Sequence, residues 1–285
     1  MVIKSEIVAD SIEPHSNRLT TFVLEYPRYV HSELMTHRVF SRNAASSRAI
    51  PTERFIKEIQ ENPAMPSHWG KNQSGMQANE ELTTEEIEAC KKEWLIARDN
   101  AIQSVLKLKD LNLHKQITNR LLEPWFHIKI ILSSTEFTNW FALRAHEDAH
   151  PDIRKLAYLM LDQYNASIPV QRVYGDWHIP FGDKIDEDRL DALFIKLYPS
   201  IKMNAYLRNE LVKRIAVARC ARISYLNFEG KDDYEADLAL CERLVSSNPK
   251  HLSPAEHMAT PHTDTYCGNF KGWKQFRKFF MNENL

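Results

Sequence analysis

The sequence predicts one large α+β domain. Segments with apolar residues at helical spacing dominate, while strand-like runs occur near both ends of the chain. At 285 residues, with 43% hydrophobic and 26% charged side chains, the chain is long enough for a sizeable core and ordinary for a globular protein.

Taken in order, Val2 to Val8 suits one short strand, and Thr21 to Val30, apolar, aromatic and β-branched, suits a second. His31 to Met35 is compatible with helix. Residues 51–82 carry Pro51, Pro63, Pro66, Gly70 and Gly75 among polar side chains and read as a long irregular excursion. Thr83-Thr84-Glu85-Glu86 is a capping box, and Ile87, Cys90, Trp94, Ala97, Ala101 and Val105 continue it at helical period. A further helix is expected over His114 to Leu122, ending before Pro124. Phe126 to Leu132 fits strand or helix, and Ser133 to Arg144 reads as helix. His150-Pro151-Asp152 starts another helix with proline in its first turn, striped by Ile153, Leu156, Ala157, Met160 and Leu161. Residues 169–184 read as loop, followed by helices over 186–197, 201–219 and Tyr234 to Ser246. Residues 248–285 read as loop-rich, with an aromatic stretch from Phe270 to Phe280.

The chemistry concentrates in Thr36 to Ser47 and Arg48. Thirteen residues hold three arginines, one histidine, one asparagine and three serines, with no acid among them. Arginine forks match phosphate or carboxylate, and the short hydroxyl and amide groups can close around an oxyanion. The segment therefore reads as an anion site with a nucleotide as the natural guest; the plain alternative is a solvated basic loop.

Other classes are disfavoured. The net charge is −1, so the basic cluster is local and no nucleic-acid partner is expected. Glycine occurs seven times, with no G-x-G-x-x-G or P-loop pattern. Cys90, Cys220, Cys241 and Cys267 are far apart, which argues against a structural zinc site or a disulfide scaffold, and no metal is expected. The N-terminus lacks a signal-peptide core and no apolar run is long enough for a bilayer, so a reduced, cytoplasmic protein without membrane contact is expected.

Several blocks together resemble the flavin-dependent thymidylate synthases. His37-Arg38, seven residues, then Ser46-Ser47-Arg48 is similar to that family's Arg-His-Arg…Ser signature, with Thr36 in place of the first arginine, Asn43-Ala44 in place of Asn-Glu, and Glu33 in place of Gln. Arg120-Leu121-Leu122-Glu123-Pro124 loosely resembles Arg-x-x-Leu-Pro; its plain reading is a helix-end arginine. Asn139 to Arg144, followed by Ala149 to Arg154, resembles Asn-Phe-Leu-x-Leu-Arg and Ala-Gln-x-Glu-Ile-Arg, although it also suits an amphipathic helix. Ala221 to Tyr225 resembles Ala-Arg-x-Ser-Tyr. His251-Leu252-Ser253-Pro254-Ala255-Glu256-His257 resembles His-x-Ser/Thr-Pro-Phe-Glu-His, with a metal site as the alternative.

The resemblance implies an antiparallel sheet flanked by several helices, and a homotetramer with FAD at subunit junctions. It implies dUMP as substrate, methylenetetrahydrofolate as carbon donor and NADPH as reductant, giving dTMP. It places FAD against His37, Arg38, Asn43, Asn139, His251, Ser253 and Glu256, and the nucleotide against Glu33, Ser46, Ser47, Arg48, Arg120 and Arg144. Arg144, beside the pyrimidine ring, is the candidate catalytic residue. The blocks stand in a different order from the family's. Those that close this chain open the family's, so the chain reads as a circular permutation over one domain, 1–285, with 258–285 as a C-terminal extension. Flavin- and folate-dependent 5-hydroxymethylation of dUMP or dCMP, and a non-catalytic nucleotide-binding protein, are the alternatives.

Overall fold

The computed structural model of the chain describes residues 2–225 and 233–283. In chain order the elements are β1 (Lys4–Ile12), β2 (Arg18–Pro27), α1 (His31–Met35), β3 (Ser41–Ala44), α2 (Thr52–Glu61), α3 (Thr84–Asp110), α4 (Lys115–Thr118), β4 (His127–Ser134), α5 (Thr138–Arg144) and α6 (Pro151–Ala166). β5 (Val170–Gln171), α7 (Glu187–Leu197), α8 (Ala205–Tyr225), α9 (Tyr234–Ser246), β6 (Ala259–Cys267) and β7 (Phe270–Gln275) complete them.

The main sheet has the order β3-β4-β2-β1-β5. Its pairs are antiparallel except the short β1–β5 pair. β2 and β4 are its centre and are buried along most of their length, as strands covered on both faces must be. Successive side chains point to opposite faces. Ile130 and Leu132 accordingly join the core shared with Ile153, Leu156 and Met160 of α6, while Ile131 joins the core of Ala216, Val217 and Cys220 of α8 and Leu240 of α9. Helices thus flank the sheet on both sides, and the α+β expectation holds.

Several boundaries differ from the sequence reading. The 51–82 excursion is not irregular throughout: α2 occupies its first part, because Phe55 and Ile59, one helical turn apart, are both fully buried. The remainder is tied down, with Ala64 donating its N–H to the Trp125 carbonyl at 2.8 Å and accepting from Trp94 Nε1 at 3.0 Å. The ambiguous 126–132 run is strand from His127 onward, and the strand runs on to Ser134, so the following helix starts at Thr138 rather than Ser133. The cross-strand hydroxyl pair explains this: Thr21 lies opposite Ser133, with their oxygens 2.6 Å apart. The expected helix over 114–122 is a single turn, α4, followed by a 3-10 segment that takes in Pro124. The C-terminal stretch is not loop-rich: β6 and β7 form a hairpin whose Phe270 and Trp273 pack on Leu19 of β2.

The capping box at Thr83 and Glu86, the proline start at Pro151, and the helix over Tyr234–Ser246 stand as read from the sequence. No helix among the described residues is long and apolar enough to cross a membrane, and no group of metal-ligating side chains occurs among them.

Candidate active site

The basic segment crosses from the end of α1 to β3 at the edge of the sheet. Three groups of side chains lie along it, the first two linked through Arg42.

The first surrounds Arg144 at the end of α5. Its Nη1 donates to Glu33 Oε2 at 3.0 Å, its Nη2 to Thr36 Oγ1 at 3.3 Å, and its Nε to His37 Nε2 at 3.3 Å. Donation to Nε2 requires a neutral imidazole with its proton on Nδ1. The environment agrees: burial lowers the His37 pKa, the Arg144 charge lowers it further, and the hydrogen bond that the ring gives to Asn139 only partly opposes them. The ring stands edge-on to Trp140, with centroids 5.0 Å apart, and stacks near Phe40. Thr36, where the family carries arginine, donates its hydroxyl to the Glu33 carbonyl at 2.7 Å and so closes α1. Arg144, Glu33, His37 and Asn139, predicted from two separate blocks, are therefore one cluster.

The second group lies on β3. Arg42 links it to the first, donating to the His37 carbonyl at 2.8 Å while sensing the Glu256 charge. Asn43 Nδ2 donates to Ser253 Oγ at 2.9 Å, and Asn43 Oδ1 lies 3.0 Å from His257 Nε2. Glu256 pairs with Arg277, and its carbonyl accepts from Gln275 Nε2 at 3.2 Å. Residues more than 200 positions apart in sequence thus meet at one strand.

The third group follows β3. Ser47 is buried and donates to Glu123 Oε1 at 2.6 Å; Arg120 donates to the same oxygen at 2.8 Å. The buried Asn119 amide donates to the carbonyls of Ser47 and Ile50 at 2.8 and 3.0 Å, fixing the turn. Ser46 is half-buried and Arg48 exposed; Arg38, which precedes β3, is exposed and joins none of the three groups.

Not every predicted residue joins these groups. His251 is exposed, and its backbone N–H donates to the Leu244 carbonyl at 3.0 Å. The Ala221 to Tyr225 block ends α8, but the side chains of Ser224 and Tyr225 lie outside the described residues. A cavity of about 710 Å³ opens elsewhere, between Trp177, Lys213 and Phe276, and touches none of the predicted site residues. Sequence reasoning missed Glu123 as the partner of Ser47 and Arg120; its one signal was its position in the block, where the family pattern has leucine. It also assigned nothing to Thr21, Ser133 or His178, and it read His257 only as the last residue of the box, with no individual role. The hydroxyl pairs Thr20-Thr21 and Ser133-Ser134 at the ends of two otherwise largely apolar strands were the available sign for the first two.

A family model described as thymidylate synthase complementing protein matches residues 16–170, a little over half of the 285-residue chain. The chain belongs to that family. Membership bears out the expectation of a thymidylate synthase-like enzyme. The matched span runs from β2 through α6 and holds the first and third groups entire, together with Arg42 and Asn43; the Ser253–His257 box lies outside it. Among solved structures, the chain is similar to a UMP/dUMP methylase, PolB from Streptomyces cacaoi, bound with 5-Br UMP: 17% identity, TM-score 0.49, covering 58% of this chain and 90% of that one. The same methylase bound with 5-Br dUMP gives 15% identity and TM-score 0.47 over the same shares. No curated protein matches.

Proposed function

We propose that this thymidylate synthase complementing protein family member methylates dUMP to dTMP with FAD as cofactor, methylenetetrahydrofolate as carbon donor and NADPH as reductant. One observation carries the reading: Ser253 and His257 of the C-terminal box are both hydrogen-bonded to Asn43 of the basic segment.

The donor set suits a flavin dinucleotide. Its ring edge needs mixed donors and acceptors, which Asn43, Asn139 and Ser253 provide. Its diphosphate needs cations, which the exposed Arg38 provides, and the carboxylate of the box, Glu256, is held by Arg277. FAD, when bound, supplies the redox chemistry. The chain's own residues bind and orient. Arg48, Ser46 and Arg120 suit the nucleotide phosphate. Ser47 reaches it only by releasing Glu123. Arg144 would stabilise the negative charge that a pyrimidine oxygen gains as hydride adds to the ring; the guanidinium is held there by Glu33 and by His37, whose ring packs on Trp140 and Phe40. His37, neutral and pinned between Arg144 and Asn139, orients both.

Two further parts belong to the proposal. The order of the blocks, with the box at the C-terminus, is a circular permutation of the family's order. The exposed apolar side chains of Met35, Val39, Leu121 and Leu143 lie on the segments that carry Glu33, His37, Arg120 and Arg144, which supports a homo-oligomer, a tetramer, joined at the sites.

A second reading is 5-hydroxymethylation of dUMP or dCMP, favoured by the Glu33 carboxylate on Arg144, since a carboxylate accepts from a cytosine amino group. Reconstitution with FAD followed by mass analysis of the product from labelled dUMP and dCMP tests both. A methylated product supports the first reading and a hydroxymethylated one the second. A chain that takes up no FAD at micromolar concentration is a nucleotide binder without this chemistry.

A further inference from the structure

A continuous line of hydrogen bonds crosses the sheet and ends at Asn43. Ser11 Oγ of β1 lies 3.0 Å from His178 Nδ1, and His178 Nε2 lies 2.8 Å from Thr21 Oγ1. Thr21 Oγ1 lies 2.6 Å from Ser133 Oγ, which lies 2.8 Å from His257 Nδ1. His257 Nε2 meets Asn43 Oδ1 at 3.0 Å, and Asn43 Nδ2 reaches Ser253 Oγ at 2.9 Å. Ser11, Thr21, Ser133, His178 and His257 are all buried, the last two fully.

We infer that His257 is a positioning residue: this line of bonds fixes its tautomer, and the tautomer fixes which way the Asn43 amide faces the site. The reasoning is a count of protons. Each neutral imidazole has one N–H and one bare nitrogen, and each hydroxyl has one proton to give. In a line where every neighbour pair shares one bond, choosing one donor settles all the others. Only two arrangements satisfy every member, one the reverse of the other. An imidazolium at either histidine would have two donors and break the line. Both histidines are held neutral by burial, each pushed down to about 3.

The two arrangements differ in what Asn43 offers. With both histidines protonated on Nε2, Ser11 donates to His178, His178 to Thr21, Thr21 to Ser133, Ser133 to His257, and His257 to the Asn43 carbonyl. The Asn43 NH2 group then points toward Ser253 and the ligand side. In the reverse arrangement the carbonyl does. Free neutral imidazole favours the Nε2 proton, and that preference applies twice here, so the line selects the NH2-outward amide. A group on β1, on the far side of the central strands, is thereby coupled to the ligand face of β3. This deepens the proposed function, resting on it only where Asn43 meets the flavin.

The test is nitrogen NMR of the full chain with labelled histidine at pH 7, together with FAD titration, for the native protein and for Ser133→Ala and Ser133→Thr. Both His178 and His257 are expected as the neutral Nε2–H form. Ser133→Ala should leave His257 in mixed tautomers and weaken FAD about tenfold, and Ser133→Thr, which keeps the hydroxyl, should restore both. A charged or Nδ1-protonated His257 in the native chain overturns the inference. So does a Ser133→Ala chain with the native tautomer and native FAD affinity. If the native chain takes up no FAD, the functional reading fails and the tautomer readings alone decide the inference.

Discussion

Arg144 and Glu33 face each other across the candidate site as an ion pair, Nη1 to Oε2 at 3.0 Å, with both side chains partly buried. The carboxylate neutralises the cation that would meet a pyrimidine oxygen. Glu33→Gln keeps the shape and removes the charge. It should bind dUMP a few-fold more tightly, in line with the roughly 0–1 kcal/mol of a partly exposed pair. It should also lose preference for dCMP relative to dUMP, because the amide cannot accept as strongly from a cytosine amino group. Calorimetry with both nucleotides checks the ratio; an unchanged ratio removes Glu33 from the base-reading face.

Arg48→Ala and Arg144→Ala should each weaken dUMP binding by ~1.5–3 kcal/mol, roughly ten- to a hundredfold. Arg48 is exposed and Arg144 sits at the surface end of a short helix, so circular dichroism should show native helix content in both. Native affinity for dUMP and dCMP in either variant places that arginine outside the site.

The elements that sequence resolved were those with local causes. The capping box at Thr83, and the proline start at Pro151 with the apolar stripe that follows it, depend on neighbours one turn away. The first cluster was legible for a similar reason: its motifs keep characteristic spacings, and Asn139 and Arg144 share one helix. What escaped depends on partners far along the chain. Glu123 takes its role from Ser47, 76 positions earlier. His257 takes its role from Ser133 and Asn43, and His178 gave no local sign at all. The extension of β4 through Ser134 has the same origin, since its serines pair with hydroxyls on strands that only the fold brings alongside.

Acid should destabilise the fold in a defined window. His178 and His257 are pushed down to about 3 and His31 to about 4, chiefly by burial. The unfolded chain takes up protons on these rings below about 6.5, whereas the folded chain does not. Their contribution is therefore complete above about pH 6.5 and is lost as pH falls toward 4 and then 3, at up to about 1.4 kcal/mol per histidine for each pH unit. Urea midpoints at pH 7, 6 and 5 should fall in that order. A midpoint that does not move means these rings protonate freely within the folded chain.

The C-terminal hairpin should prove integral to the domain. Trp273 is fully buried against Leu19, Ala259 and Phe270, and its Nε1 donates to the Asn17 carbonyl at 3.0 Å, tying β7 to the turn between β1 and β2. Next to it, Gly272 has φ +74°, and a Cβ there would lie 2.6 Å from Asn17 Nδ2 and 2.8 Å from Glu13 Oε1. The hairpin and that turn are therefore packed backbone to side chain, with no room between them. The same hairpin supplies Gln275, which holds the Glu256 carbonyl and the Ser41 hydroxyl and so braces the box against β3. Trp273→Ala should cost ~3–5 kcal/mol, the range for a large buried aromatic. Because β2 also carries Thr21, loosening of the hairpin should spread into the line of bonds that ends at Asn43. Flavin affinity should then fall in Trp273→Ala even at a temperature where the variant stays folded. A denaturant melt and an FAD titration on one preparation check both. A loss under 1 kcal/mol with native FAD affinity would show that residues 258–285 form an appendage with no part in the site.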